Sequence, residues 1–225
     1  LGADVLSIAR SASFADKNVG TTKAVSVSAV SLSGTDANNY TVAPTGNTTA
    51  DITQRNLTVV YTGVDKVYDG LLNASVTTSL TNANGYVNGD VLSVNRTANF
   101  TDKNVAYLNG NVTPVSINVT GVSLGGSDAN NYSVSSTGSA SANITPKALS
   151  VALTGNIQKT YDGNTSATLT SANYNLTGFV SVGGVSEGAT INKLTGNYNS
   201  RNVLEANSVS TTLASTDYAA DPGTT

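Results

Sequence analysis

The sequence predicts an all-β chain of tandem Ig-like β-sandwich modules arranged end to end, with a β-grasp-like variant as the alternative. Three observations predict it. First, landmarks recur at a near-constant interval. Lys66-Val67-Tyr68-Asp69-Gly70 returns as Lys159-Thr160-Tyr161-Asp162-Gly163, 93 residues on, and a long fixed period is the mark of stacked modules rather than of one large enzyme domain. Second, short runs of β-branched residues alternate with Ser and Thr and are cut by Gly, Asn and Asp, which is the pattern of half-buried strands joined by turns. Third, no apolar stripe of 3.6-residue period reaches helical length.

Taken in order, the chain opens on Ala3-Asp4-Val5-Leu6-Ser7-Ile8-Ala9-Arg10 and runs to Phe14-Ala15-Asp16-Lys17-Asn18-Val19. The same text recurs as Gly89-Asp90-Val91-Leu92-Ser93-Val94-Asn95-Arg96 and Phe100-Thr101-Asp102-Lys103-Asn104-Val105. A weaker third copy is Tyr198-Asn199-Ser200-Arg201-Asn202-Val203. Asp-Lys-Asn is turn chemistry, because Asp and Asn side chains bond nearby backbone, so these stretches read as loop tips between strands. An ion site there is disfavoured, since each module offers three unclustered carboxylates. Next, Val25 and Val27 alternate with Ser, and the phase then shifts before Val30 and Leu32. In the second copy the shift falls on Gly121, which predicts a bulge or tight bend. Gly34-Thr35-Asp36-Ala37-Asn38-Asn39-Tyr40 and Gly126-Ser127-Asp128-Ala129-Asn130-Asn131-Tyr132 read as turns entering a strand, each Tyr half-buried with its hydroxyl in water. The third copy is shortened to Thr216-Asp217-Tyr218.

Ala50-Asp51-Ile52-Thr53 and Ala142-Asn143-Ile144-Thr145 lead straight into the next strand and mark the seams between modules. Pro146 stiffens the second seam. Lacking a flexible linker, neighbouring modules are expected to be joined closely. Asp-Gly after Tyr68 and Tyr161 predicts a turn with Gly at positive φ, and a short helical turn near Leu71–Ala74 would suit the β-grasp-like variant. On this frame residues 1–54 are the C-terminal part of a first module, 55–146 a complete module, and 147–225 a third that lacks its closing strand.

Composition bounds the function. The 225 residues carry 11% charged residues and a net charge of -3. That is less than half the ordinary charged share, so the surface is solvated by Ser, Thr and Asn, and salt bridges add little. Disorder requires low hydrophobicity with high net charge, which this chain does not combine. Without Cys or His there is no disulfide, no thiolate metal site and no imidazole base. No run of about 18 apolar residues spans a membrane. The 11 basic residues form no patch, so nucleic acid is not an expected partner. Glu187 and Glu205 are the only glutamates and both fall in the third module, which argues against a glycosidase pair. Lacking Met, the sequence does not start on an initiator residue and reads as a piece of a longer chain.

Lys-x-Tyr-Asp-Gly, Gly-Asp-x-Leu, Asp-Lys-Asn-Val, Asp-Ala-x-Asn-Tyr and Ile144-Thr145-Pro146-Lys147-Ala148-Leu149-Ser150-Val151, in that order, resemble the YDG repeat modules of bacterial surface proteins, and are similar to the related MBG-type modules. The resemblance covers 55–146 and most of each flanking fragment. It departs at Gln54-Arg55, where Pro-Lys is expected, and in the third copy. It implies a segment of a large secreted adhesin of filamentous-haemagglutinin-like type: a structural stalk or spacer on the bacterial surface or in biofilm matrix, with neighbouring modules of the same chain as its partners. Extracellular polysaccharide, or like chains bound laterally in a surface layer or sheath, are the alternative partners. The resemblance carries no catalytic motif, and no catalytic, cofactor or metal residue is assigned.

Three chemistries remain to weigh. Lys66 and Lys159 could serve as isopeptide donors to an Asn with a carboxylate assisting, but that bond needs all three groups buried together, so solvated turn lysines are expected. Asn-x-Ser/Thr recurs, for example at Asn56, Asn95, Asn118 and Asn175, and accepts sugar only where glycosylating machinery exists. Tyr86, Tyr107, Tyr174 and Tyr198 are the candidate aromatic faces for a polysaccharide.

Overall fold

The computed structural model describes residues 4–220, so Ala3 of the first landmark lies outside the described residues. The protein is all-β. Strands form sheets of two or three, and the helical segments among the described residues are three-residue 3-10 turns. By contacts the chain divides into two compact units. One takes the chain up to Gly63 with Ser75–Asn99 and Ile117–Ala140; the other takes Val64–Ala74, Phe100–Ser116 and the chain from Ser141 onward.

In the first unit Ser7–Phe14, Gly20–Ser33 and Gly46–Ile52 form an antiparallel meander with the long strand central. The predicted phase shift is a bulge. Ala9 faces Ser31 and Ser11 faces Ser28, so Arg10 stands opposite two residues. One of them, Ala29, has φ +52°, and its counterpart Gly121 has φ +63°. The second copy repeats the meander with Ser93–Phe100, Val115–Gly125 and Gly138–Ala142, again with the long strand central. Burial separates the copies. Ser7–Phe14 is exposed along its length. In Val115–Gly125, by contrast, Val115, Ile117, Val119 and Val122 are buried in strict alternation until the bulge.

Two pairings in the repeat 55–146 are parallel, where an Ig-like sandwich is antiparallel. Tyr132–Val134 lies beside Arg55–Leu57, and Ile144–Thr145 beside Lys66–Val67. Each closes the end of the repeat onto its beginning. Asp65 fixes the second register by accepting the Asn143 backbone N–H at 2.7 Å and its side-chain amide at 3.1 Å. In the second unit the third repeat has a small core of Leu169, Tyr174 and Ile191, flanked by Leu153, Ile157, Leu176, Val209 and Leu213.

The helical turn expected near Leu71–Ala74 does not form. The carbonyls it would use are taken elsewhere: Lys66 Nζ donates to Leu71 O and Asn73 O, and Phe100 N donates to Leu72 O. A 3-10 turn forms instead at Asn82–Asn84.

Candidate functional site

The side chains that the repeats share converge on two places: the turn after Lys-x-Tyr-Asp-Gly, and the seams between repeats. At the turn, Lys66 Nζ reaches Asp69 Oδ1 at 2.7 Å, Leu71 O at 2.7 Å and Asn73 O at 3.1 Å, and lies 5.4 Å from the Phe100 ring centre. Lys159 repeats this with Asp162 Oδ1 at 2.7 Å, Asn164 O and Asn164 Oδ1 at 2.8 Å, and the Tyr198 ring at 5.7 Å. These are not the solvated turn lysines expected. The Lys66 side chain is 17% exposed, because its ammonium supplies the donors that the loop carbonyls lack and the aromatic face accepts its charge. Lys159, Asn164 and Asp162 do bring together a lysine, an asparagine and a carboxylate. The Asp162 side chain is 45% exposed, however. Lys159 and the Asn164 backbone N–H both hold its pKa below the usual value, so the carboxylate stays ionised and paired rather than serving as the buried acid that such a bond needs.

At the first seam the loop tip of the first repeat plugs into the second. Asp16 Oδ1 accepts the Asn18 backbone N–H at 2.8 Å, which makes the expected turn and sets Lys17 outward. Lys17 Nζ then lies 2.6 Å from Asp90 Oδ1 and 2.8 Å from Asp128 Oδ1. Val19 N donates to Asn131 Oδ1 at 2.9 Å, the Asn131 amide donates to Asn18 Oδ1 at 3.2 Å, and Gln54 donates to Asn130 O at 3.1 Å. The socket is held open by its own bonds. Tyr132 donates its hydroxyl to Asp90 Oδ2 at 2.6 Å and accepts the Val87 N–H at 3.1 Å, while Asp128 Oδ2 accepts the Val91 N–H at 2.9 Å. Lys17, then Tyr132, hold the Asp90 carboxyl below the usual aspartate range; Lys17, then Val91 N–H, do the same for Asp128. The two carboxylates together hold the Lys17 ammonium above its ordinary pKa. Tyr132 is thus not the half-buried anchor with a wet hydroxyl that the sequence suggested for both Asn-Asn-Tyr tyrosines, whereas Tyr40 is 44% exposed. Tyr132 is 4% exposed, because its hydroxyl is needed to orient the Gly-Asp carboxylate.

The second seam uses different groups. Gly188 stands where Asp90 does and the Asn-Asn pair is gone, so Lys103 has no ion-pair partner among the described residues. Tyr68 instead donates its hydroxyl to Glu187 Oε1; that bond, then burial, pushes the phenol up to about 12. Val180 and Val182 seat on Gly70, so close that a Cβ there would lie 3.0 Å and 2.9 Å from their methyls. The valines ride on an insertion. Leu169 to Tyr198 spans 29 positions where Leu80 to Phe100 spans 20. Beside this insertion lies a cavity of about 470 Å³ lined by Tyr68, Val105, Pro146, Phe179, Val180 and Glu187. The insertion was visible in the sequence as a length difference, but its use as a cover for Tyr68-Asp69-Gly70 was not.

Of the four candidate aromatic faces, Tyr107 is exposed (57%). Tyr174 is buried and donates to Lys193 O, Tyr86 is half-buried and donates to Asp90 O, and Tyr198 donates to Ile157 O under Lys159. The hydroxyls of these last three are committed to backbone carbonyls. No group of three or more potential metal ligands occurs among the described residues.

A family model, described as the YDG domain, matches residues 1–49, 53–140 and 145–223. No curated protein and no solved structure gives a match.

Proposed function

The chain belongs to the YDG domain family, and on that premise we propose that it is a structural stalk or spacer segment of an extracellular bacterial adhesin or biofilm-matrix fibre, without enzymatic activity. The observation that carries this reading is the seam. The recurring polar residues are spent on joining one repeat to the next: Lys17 on Asp90 and Asp128, Asn131 on Asn18 and Val19, Tyr68 on Glu187. A linker-free junction bonded by side chains from both repeats restricts the bending that a flexible Gly/Ser linker would allow, and a spacer has to keep its length. A surface poor in charge but rich in Ser, Thr and Asn suits an extended array that must stay solvated. The polysaccharide-array alternative has less support, since one of its four tyrosines is buried and the hydroxyls of three are bonded to backbone carbonyls.

Electron cryo-tomography of cells carrying the parent protein tests the reading. Thin fibres projecting from the surface or bundled between cells are expected. A continuous lattice or closed sheath, or a location inside the cell, would overturn it.

A further inference from the structure

Both parallel pairs of the repeat 55–146 join its start to its end, Arg55–Leu57 with Tyr132–Val134 in one compact unit and Lys66–Val67 with Ile144–Thr145 in the other. The chain runs on at both sides of this repeat. Tension along it therefore reaches Arg55–Leu57 and Lys66–Val67 from their N-terminal ends, and Tyr132–Val134 and Ile144–Thr145 from their C-terminal ends. In a parallel pair these are opposite ends of the ladder. The load slides one strand along the other, and the bonds between them have to break together. In an antiparallel hairpin such as Ser7–Phe14 with Gly20–Ser33, Ser7 faces Ser33, so the same load falls on one end and opens the bonds one at a time.

Each pair is pinned where tension arrives. Asp65 stands at the loaded end of Lys66–Val67 and accepts the Asn143 backbone N–H at 2.7 Å and its side-chain amide at 3.1 Å; bonds to a carboxylate are stronger than those to a neutral acceptor. Lys66 N donates to Asn143 O at 3.0 Å, Tyr68 N to Thr145 O at 2.8 Å, and the Thr145 hydroxyl to Lys66 O at 3.2 Å. Ile144 is fully buried, so sliding this ladder also draws its side chain out of an apolar site. In the other pair Leu57 is buried in the same way, Thr58 N donates to Asn84 O at 2.8 Å, and Arg55 Nε donates to Gly85 O at 2.8 Å. The chain has no cysteine, so these non-covalent bonds carry the load without a disulfide.

We infer that the repeat 55–146 is a load-bearing unit, and that its two parallel pairs are the clamp by which it resists being drawn out lengthwise. The clamp follows from the direction of pairing and from the points at which the chain enters and leaves each ladder. Its use, holding length under tension, rests on the stalk reading.

Single-molecule force spectroscopy on the full chain tests it. Because the chain has no cysteine, pairs of introduced thiols define where it is pulled. Thr53→Cys with Lys147→Cys loads both pairs from opposite ends. Leu71→Cys with Lys147→Cys loads the Lys66–Val67 and Ile144–Thr145 pair at its C-terminal end alone, which peels it. All three positions are exposed. The first geometry is expected to need the higher unfolding force. In that geometry Asp65→Ala is expected to speed unfolding at a given force about tenfold, by loss of bonds to a charged acceptor. Equal forces in the two geometries, or a lower force in the first, would overturn the proposal; so would an Asp65→Ala chain as resistant as the unmodified one. Equal forces in a protein that tomography shows as fibres would remove the clamp and leave the stalk reading standing.

Discussion

Replacing Gly70 by Ala is expected to loosen the second seam, and Gly163→Ala supplies its internal control. The two glycines occupy the same place after Tyr-Asp and have nearly the same backbone, φ +75° and +79°. A Cβ in this left-handed region costs about 1–2 kcal/mol. Fewer unfolded conformations offset part of that, by about 0.4–1 kcal/mol. Both contributions are common to the two variants and cancel in the comparison. What differs is the space. At Gly163 a Cβ meets nothing within 4 Å, whereas at Gly70 it lies 2.9 Å from Val182 Cγ2 and 3.0 Å from Val180 Cγ1. Forcing a methyl into a packed contact costs about 1–3 kcal/mol, and this is the expected excess for Gly70→Ala. Hydrogen exchange read at Val180–Val182 and at Tyr68 follows the seam itself, while urea unfolding reports the whole. Faster exchange at these amides in Gly70→Ala but not in Gly163→Ala is the expected result. Equal costs in the two variants would refute the seating of the valines on Gly70.

Other consequences follow from the same geometry. Lys66→Ala strips the donor from Leu71 O and Asn73 O and should cost about 1–3 kcal/mol in urea unfolding, more than Lys159→Ala, whose cradle is more open (25% against 17% exposed). An intact mass short by one ammonia would instead mean that Lys159 and Asn164 had condensed. The first seam should loosen on acidification. The Asp90 and Asp128 pKa values are depressed in the fold, so their contribution is present above the ordinary aspartate value of 3.8 and is lost as pH falls through the lowered folded values; exchange at Val19 and Val91 amides should quicken there and not at neutral pH. Tyr68 behaves in the opposite sense. Its phenol is raised from 10.0 to about 12, so its contribution is intact below pH 10 and disappears as pH climbs toward 12. In the phenolate absorbance titration, Glu187→Gln should bring this late ionisation back toward the others.

Much of this protein was legible in one dimension because repetition does in sequence what an interface does in space. The strands, the bulge at Ala29 and Gly121, and the Asp-x-Asn turns depend on neighbours within a few residues, and alternation and turn chemistry report such neighbours directly. The closing of residue 144 onto 66 and of 132 onto 55 did not show, since parallel pairing across so long a separation leaves no local signal. Nor did the fate of the Leu71 and Asn73 carbonyls, which local propensity would have given to a helix and a lysine took instead.

The sequence by itself determined that the chain is all-β, that its units repeat, and that Lys, Tyr, Asp and Asn recur at the same points of each unit. Only the tertiary structure decided what those residues are for. Lys17 and Asp90 are 73 positions apart, and Tyr68 and Glu187 are 119 apart. A charge or a hydroxyl has a partner only where chain folding places one within about 3 Å. Side chains that read as solvated loop tips are therefore, once the repeats are stacked, the bonds between them.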